Sequence, residues 1–304
     1  MGAAREGIEL LLNELTRPRA PLGKDSPHAT VNIYPLTDRT RRRFRSDLIE
    51  QCIGQLEDVE HGGRAAIVTA GPPGAGKTTE IGSLGLVDGG WRVIDADVIK
   101  DLLLGQAVAD GIFGDLQSDH LKSYGFPLLL NELAALVHTE STMLAGLLLD
   151  RALAERENVV IEGTLSWSGL PEEYLLKLAS NDYERLTILD VEVGLDTALM
   201  QASNRWWSGR TDALNGTGPA SGGRFTPRNA IIDAFLPDGS ASACNVNAVK
   251  LFRNPRARNF AEVQLIVKDR TGAADVEHRY VAQYGVLAAE FPMTLKQLQE
   301  LYGP

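Results

Sequence analysis

The sequence predicts an α/β fold, a mainly parallel sheet within a three-layer sandwich. Three observations carry that prediction. A six-residue apolar run, Ala65 to Ala70, leads into Gly71-Pro72-Pro73-Gly74-Ala75-Gly76-Lys77-Thr78. That octet is a full match to G-x-x-x-x-G-K-[ST], a phosphate-binding loop set between a strand and a helix. Further strand-like segments at 91–95, 158–164 and 186–193 alternate with segments of helical periodicity, the pattern of a parallel sheet with crossover helices. Acids stand at the ends of these runs, at Asp95, Asp97 and Glu162, where open parallel sheets bind their ligands.

Length and charge bound the rest. A chain of 304 residues suits two domains, or one large α/β domain with an appendage. The formal net charge of −10 and pI near 5.1 argue against a nucleic-acid partner. Cys52 and Cys244 are too few for a disulfide framework and match no zinc spacing. No secretory signal is visible, and no apolar run approaches the ~18 residues that suggest a membrane span. The expectation is a soluble, cytoplasmic protein without membrane contact.

Taken in order, Ile8, Leu11, Leu12 and Leu15 have helical spacing, so Glu6 to Leu15 reads as a short amphipathic helix. Arg17 to Pro35, with four prolines, reads as an extended arm. Thr37 to Leu56 is helical, and its basic start reads as a solvated face because acids follow at Asp47 and Glu50. These elements form an N-terminal arm, 1–63, before a phosphate-loop domain with a C-terminal extension, 64–304. After the loop, Thr79 to Leu86 is the first core helix and Trp91 to Asp95 the second strand. Leu128 to Glu155 is mostly helical, Asn158 to Thr164 a strand, and Leu186 to Val193 another. Asp196 to Arg205 is a helix, and Asn215 to Arg224, rich in Gly and Ser, a mobile loop. Arg228 to Phe235 follows Pro227 as a helix. Strand candidates at 248–252, 262–267 and 279–282 make the extension strand-rich, and Thr294 to Leu301 closes the chain as a helix.

The loop implies a bound nucleotide triphosphate, ATP or GTP. Gly71, Gly74 and Gly76 allow the positive φ and close approach that bring backbone N–H groups onto phosphates. Ala75 and Thr79 complete the cradle, Lys77 reaches the outer phosphates, and the Thr78 hydroxyl holds Mg²⁺. Asp97 stands twenty residues after Lys77, at a strand tip where a carboxylate can meet an acceptor hydroxyl, and takes the base or positioning role ahead of Asp95; it could also cap the helix beginning near Val98. Glu162 resembles a metal-side acid, or is a plain turn residue. Arg205, Arg210 and Arg224 flank the Gly-rich loop, either as phosphate clamps or as surface ion-pair partners. Trp206 and Trp207 could stack on a ligand or pack beneath the loop.

The ordered set Gly-Pro-Pro-Gly-Ala-Gly-Lys-Thr, Ile-Asp-Ala-Asp-Val-Ile-Lys, His-Thr-Glu-Ser, Val-Ile-Glu-Gly-Thr-Leu, Asn-Arg-Trp-Trp and Gly-Arg-Phe-Thr-Pro resembles the zeta toxin family, over roughly Ala65 to Phe235. The family comprises kinases of toxin–antitoxin pairs, which phosphorylate the 3′-hydroxyl of the amino sugar of UDP-N-acetylglucosamine and so block peptidoglycan precursor supply. The resemblance implies a P-loop NTPase-type fold, ATP with Mg²⁺, and a small antitoxin protein as partner. It implies Lys77 and Thr78 as nucleotide and metal residues and Asp97 as base. It also makes Arg205 and Arg224 the phosphate-holding arginines, and Glu140 and Thr164 acceptor-binding residues. From the residues alone Glu140 would be only a helix-surface acid.

Two departures lie near the acceptor. Leu102-Leu103-Leu104-Gly105 stands where the family often has His-Pro, and Ser166 where better-known members have an arginine. They leave open a kinase acting on another hydroxyl, of an antibiotic, a nucleoside or another nucleotide sugar. A nucleotide-dependent protein-binding module is a reading of a different class.

Overall fold

A computed structural model describes residues 2–54, 59–83, 90–114, 116, 126–283 and 286–287. Its strands are β1 (Ala65–Ala70), β2 (Trp91–Asp95), β3 (Asn158–Glu162), β4 (Arg185–Glu192), β5 (Glu262–Asp269), β6 (Val276–Gln283) and β7 (Val286–Leu287). Its helices are α1 (Gly2–Leu15), α2 (Thr30–Ile33), α3 (Arg39–Gly54), α4 (Lys77–Ser83), α5 (Ala96–Ala109), α6 (His138–Ala154), α7 (Leu170–Ser180), α8 (Leu195–Asn215), α9 (Arg228–Ile232) and α10 (Ala243–Arg253). Two 3₁₀ segments, Leu130–Val137 and Pro255–Asn259, complete the set. The chain divides into two compact units, each described by itself.

The second unit draws on Cys52–Asp95, Leu147–Leu199 and the described residues from Asn229 onward. It holds the whole sheet, in the order β2-β3-β1-β4-β5-β6-β7. Strands β1 to β5 run parallel, and β6 and β7 return antiparallel. The architecture is the expected three-layer α/β. Strand β1 is central, and all six of its residues are buried, which is why it reads as an unbroken apolar run rather than an alternating one.

The first unit draws on Met1–Gln51, Ala96–Gly146 and Met200–Arg228. The N-terminal residues up to Gln51 therefore belong to a unit with two later segments. Residues 17–29, expected to be extended, instead form hydrogen-bonded turns: the Leu22 N–H donates to Leu15 O at 2.9 Å and the Asp25 N–H to Pro18 O at 2.7 Å. Leu22 is fully buried, and that anchoring wins over the extended preference of the prolines.

Two further expectations change. Residues 248–252 are helical, within α10. Cys244, Ala248, Leu251 and Phe252 are all buried, a helical face, and Ser242 caps the helix by accepting from the Asn245 N–H at 2.9 Å. Helix α8 runs ten residues beyond Arg205 because Trp206 and Arg210 are buried one turn apart on its inner face. The expected closing helix, 294–301, lies outside the described residues. Among the described residues no helix is long and apolar enough to cross a membrane.

Candidate active site

The phosphate loop joins β1 to α4 as the motif requires. Gly71, Gly74 and Gly76 have φ of 129°, 91° and 88°, values that side chains rarely adopt. At Gly71 a Cβ would also collide with the Val191 carbonyl of β4, so only glycine lets the loop leave the sheet there. The Gly71 N–H donates to Thr164 O at 3.1 Å, tying the loop to the segment after β3. Lys77 Nζ donates to the carbonyls of Gly71 and Pro72 at 2.9 and 3.1 Å, so the ammonium lies over its own loop.

The Thr78 hydroxyl donates to Glu162 Oε1 at 2.5 Å, and Asp95 is the cross-strand partner of Glu162 in the β2–β3 register. Thr78, on α4, and Glu162, at the end of β3, pair a hydroxyl with a carboxylate, hard oxygen donors of the kind Mg²⁺ takes, and Asp95 ends the adjoining strand. Among the described residues no group of three or more His, Cys, Asp and Glu is placed to hold a metal ion. Of the remaining loop residues, Ala75 is buried and Thr79 exposed.

Sequence reasoning missed Arg270, in the turn after β5. It donates to Ala75 O at 3.3 Å, would lie 3.2 Å from a Cβ on Gly76, and pairs with Glu80 of α4 and, at 3.2 Å, with Asp275. No local signal could have found a contact spanning 195 residues. Asp190 and Glu192 of β4 were missed as well. Both are fully buried; Asn245 Nδ2 donates to Asp190 Oδ2 at 2.7 Å and Ser242 Oγ to Glu192 Oε1 at 2.6 Å. Burial pushes Asp190 up to about 6 and Glu192 well above the usual carboxylate range, since a buried carboxylate without a cation at hydrogen-bond distance is costly.

In the first unit, Asp97 opens α5 and is gripped by two cations. Lys100 Nζ reaches Oδ1 at 2.7 Å and Arg224 Nη1 reaches Oδ2 at 2.8 Å. Arg224 also pairs with Asp101 and donates to Asp97 O at 3.0 Å, while its buried Nε has no hydrogen-bond partner. Burial alone would raise Asp97, but Lys100 and Arg224 hold it down at about 2. Burial, with Lys100 and Lys24 nearby, holds His138 down at about 4, so its imidazole is neutral at pH 7.

Glu140 is fully buried, and both carboxylate oxygens are taken. Arg41 Nε and Nη2 donate to Oε1 and Oε2 at 2.9 and 2.8 Å, and Arg45 Nε donates to Oε1 at 2.7 Å. Burial would raise its pKa; the hydrogen bonds from Arg41, Thr30 and Arg45 hold it below the usual range. A ligand would have to displace an arginine to reach it. The basic start of α3 is thus no solvated face at these two positions, because Arg41 and Arg45 are 3% and 5% exposed.

Arg205 is exposed on α8. Arg210 is 1% exposed and pairs with buried Glu132 at 2.6 Å, which also accepts the Trp206 indole N–H at 2.9 Å. Trp206 packs edge-on against Trp207 and Phe225 at 5.5 and 5.2 Å. Arg210 and Trp206 are therefore core, not ligand groups. The Gly-rich loop is pinned at its far end: Gly223 leaves no room for a Cβ against Trp206 O, and Asn131 Nδ2 donates to Gly222 O at 2.7 Å.

No protein-family model matches the chain, and no curated protein matches its sequence. Solved structures do share its fold. The crystal structure of AvrRxo1-ORF1:AvrRxo1-ORF2 with sulphate ions aligns with a TM-score of 0.53 at 15% identity, covering 86% of this chain and 72% of that one. The native AvrRxo1-ORF1:-ORF2 complex gives 0.52 at 14%, over 83% and 70%. The PezAT chromosomal toxin–antitoxin system of Streptococcus pneumoniae gives 0.43 at 16%, over 79% and 81%. At these identities the likeness is one of fold.

Proposed function

We propose that this chain is an ATP-dependent kinase of the zeta toxin type, transferring the γ-phosphoryl group of ATP to the sugar 3′-hydroxyl of UDP-N-acetylglucosamine. The observation that carries the reading is the loop with its metal-side pair: three glycines at positive φ, Lys77, and the Thr78 hydroxyl on Glu162. In phosphoryl transfer a protein mainly positions the reactants and neutralises charge. Backbone N–H groups of Gly74 to Thr79 would cradle the phosphates, with Lys77 turning from its own carbonyls to the outer oxygens. Thr78, Glu162 and Asp95 would hold Mg²⁺, whose contribution is to offset charge on the β- and γ-phosphates.

On the acceptor side, Asp97 would orient the attacking hydroxyl. The acceptor oxygen bonds to the γ-phosphorus as the bond to the β–γ bridging oxygen breaks; ADP leaves, and the hydroxyl proton passes to the Asp97 carboxylate. A carboxylate held at about 2 is a weak base, which suits a loose transition state where the proton moves late. Arg224, with its unpartnered Nε, and Arg205 would counter charge on the transferring group. Thr164 would line the acceptor cleft. Glu140 would contribute by fixing α3 through Arg41 and Arg45. A partner protein is proposed by analogy, AvrRxo1-ORF1 having been crystallised with AvrRxo1-ORF2; here it would be an antitoxin for a cytoplasmic kinase that depletes a peptidoglycan precursor.

The test is incubation with Mg·ATP and UDP-N-acetylglucosamine, with mass-spectrometric detection of a product heavier by one phosphoryl group. Lys77→Ala should abolish it. Absence of product with the intact protein would sink the acceptor assignment. A second acceptor, some other small-molecule hydroxyl, is favoured by one observation: Thr164 Oγ1 and Ser166 Oγ, 3.0 Å apart, put neutral hydroxyls where the family resemblance leads one to expect an arginine. Screening small-molecule hydroxyls for ATP-dependent phosphorylation separates the two.

A further inference from the structure

We propose that Trp167 is a stacking platform for the flat face of the acceptor's ring. The proposal rests on the kinase reading for the position of the γ-phosphate and adds the acceptor's contact surface. Of the chain's four tryptophans, Trp167 alone is exposed, at 62%. A large aromatic ring left mostly in water offers an apolar face that a ligand's ring can cover.

The segment that carries it is built rather than loose. Leu165, 1% exposed, sits at φ 55°, a strained conformation for a branched side chain. Asn247 of α10, itself 2% exposed, holds it there by donating to the carbonyls of Leu165 and Ser166 at 2.9 and 3.0 Å. The Leu170 N–H donates to Trp167 O at 3.1 Å. The six-membered part of the indole lies against the bare main chain of Gly169, where a Cβ would come within 2.5 Å of Cη2. The backbone that carries the ring is thus held before any ligand arrives, and the ring rests on Gly169 along one edge, which lowers the ordering cost of binding.

Its position follows from chain reach. Thr164 O accepts the Gly71 N–H of the phosphate loop, and three residues span at most about 11 Å. On the kinase reading this keeps the indole near enough to the phosphate loop to meet the ring that bears the attacking hydroxyl or, beyond the diphosphate, the base. The ligand chemistry is a flat, weakly hydrated ring face, from either a pyranose or a nucleobase. UDP-N-acetylglucosamine contains both.

The test reads the indole directly. Trp167 emission is the difference between the intact protein and Trp167→Phe, titrated with UDP-N-acetylglucosamine, with UMP and with N-acetylglucosamine 1-phosphate. The expected result is quenching by the first and by one of the other two, which names the ring. In turnover, Trp167→Ala should raise the acceptor KM about tenfold or more, the range of single aromatic stacks, and leave the ATP KM and the thermal midpoint unchanged. Trp167→Phe should keep most of the affinity. Emission unmoved by all three ligands, or an unchanged acceptor KM in Trp167→Ala, overturns the platform. A responsive Trp167 in a protein that transfers no phosphoryl group overturns the kinase reading instead and leaves the platform standing.

Discussion

Arg224 and Asp97, 127 residues apart in the chain, meet as an ion pair with Nη1 2.8 Å from Oδ2. The pair joins the residue read as acceptor-side base to the residue read as phosphate clamp. Lys100 closes on the other carboxylate oxygen at 2.7 Å, so Asp97 is ionised far below neutrality. Its side chain is still 42% exposed, so a hydroxyl would reach a remaining lone pair beside the two cations.

Removing Arg224 should therefore act twice. Arg224→Gln takes a cation from Asp97, so its pKa rises and the acid limb of kcat/KM moves to higher pH. It also removes charge stabilisation of the transferring group, worth about 10²- to 10³-fold in kcat for one such donor. A pH–rate profile of the variant checks both. An acid limb that stays put while kcat falls would leave Arg224 as a clamp with no hold on Asp97.

Glu140→Gln should be felt first in stability. Two buried guanidiniums, Arg41 and Arg45, would lose their shared counter-charge, and stranding buried charge costs about 3–5 kcal/mol. Equilibrium urea unfolding measures it. Its folded pKa is depressed, so Glu140 stabilises above about pH 4.5, the unfolded value, and that contribution is lost as pH falls through the folded value.

Much of the fold was legible because its signals are local. Ala65 to Ala70 is a strand at the expected bounds, since a buried parallel strand writes itself as a short apolar run; Trp91 to Asp95, at the sheet edge, also keeps its expected bounds. The donor side was legible for the same reason, a contiguous octet. The rest depended on partners distant in sequence. Nothing near Glu140 announces Arg41, 99 residues earlier, and nothing near Ala75 announces Arg270. Residues 248–252 looked like a strand because five residues cannot separate a buried helix face from a buried strand.

Thr78→Val should raise the Mg²⁺ concentration needed for half-maximal rate, and Thr78→Ser should restore it. Valine keeps the shape and removes the oxygen that meets Glu162 at 2.5 Å. Glu162→Gln should act in the same direction. Initial rates across a Mg²⁺ titration at fixed ATP are the measurement. An unaltered Mg²⁺ requirement in both variants would remove this pair from the metal site.

Arg270→Ala tests whether the far side of the loop matters for nucleotide affinity. Its guanidinium bridges the Ala75 carbonyl and Glu80, so its loss frees the loop beside Gly76. Glu80, 6% exposed, would keep Lys268 at 3.4 Å as an ion-pair partner. The expected result is a raised ATP KM with the acceptor KM unchanged. Arg270→Lys should recover little, because one ammonium cannot span both partners as the planar fork does.

Asp190 and Glu192 make a prediction of opposite sign to Glu140. Asp190 ionises near 3.8 when unfolded and at about 6 when folded. Between those values the folded chain binds more protons, so this group's contribution is full below pH 3.8 and declines until pH passes about 6. A folded pKa one pH unit above the unfolded one corresponds to about 1.4 kcal/mol. Asp190→Asn keeps a polar side chain beside Asn245 and cannot ionise, so it removes that decline. The difference in unfolding free energy between the variant and the intact protein should therefore move in the variant's favour as pH rises from about 4 to about 6. A difference flat across that range would mean that the buried carboxyl stays ionised throughout, despite having no cation at hydrogen-bond distance among the described residues.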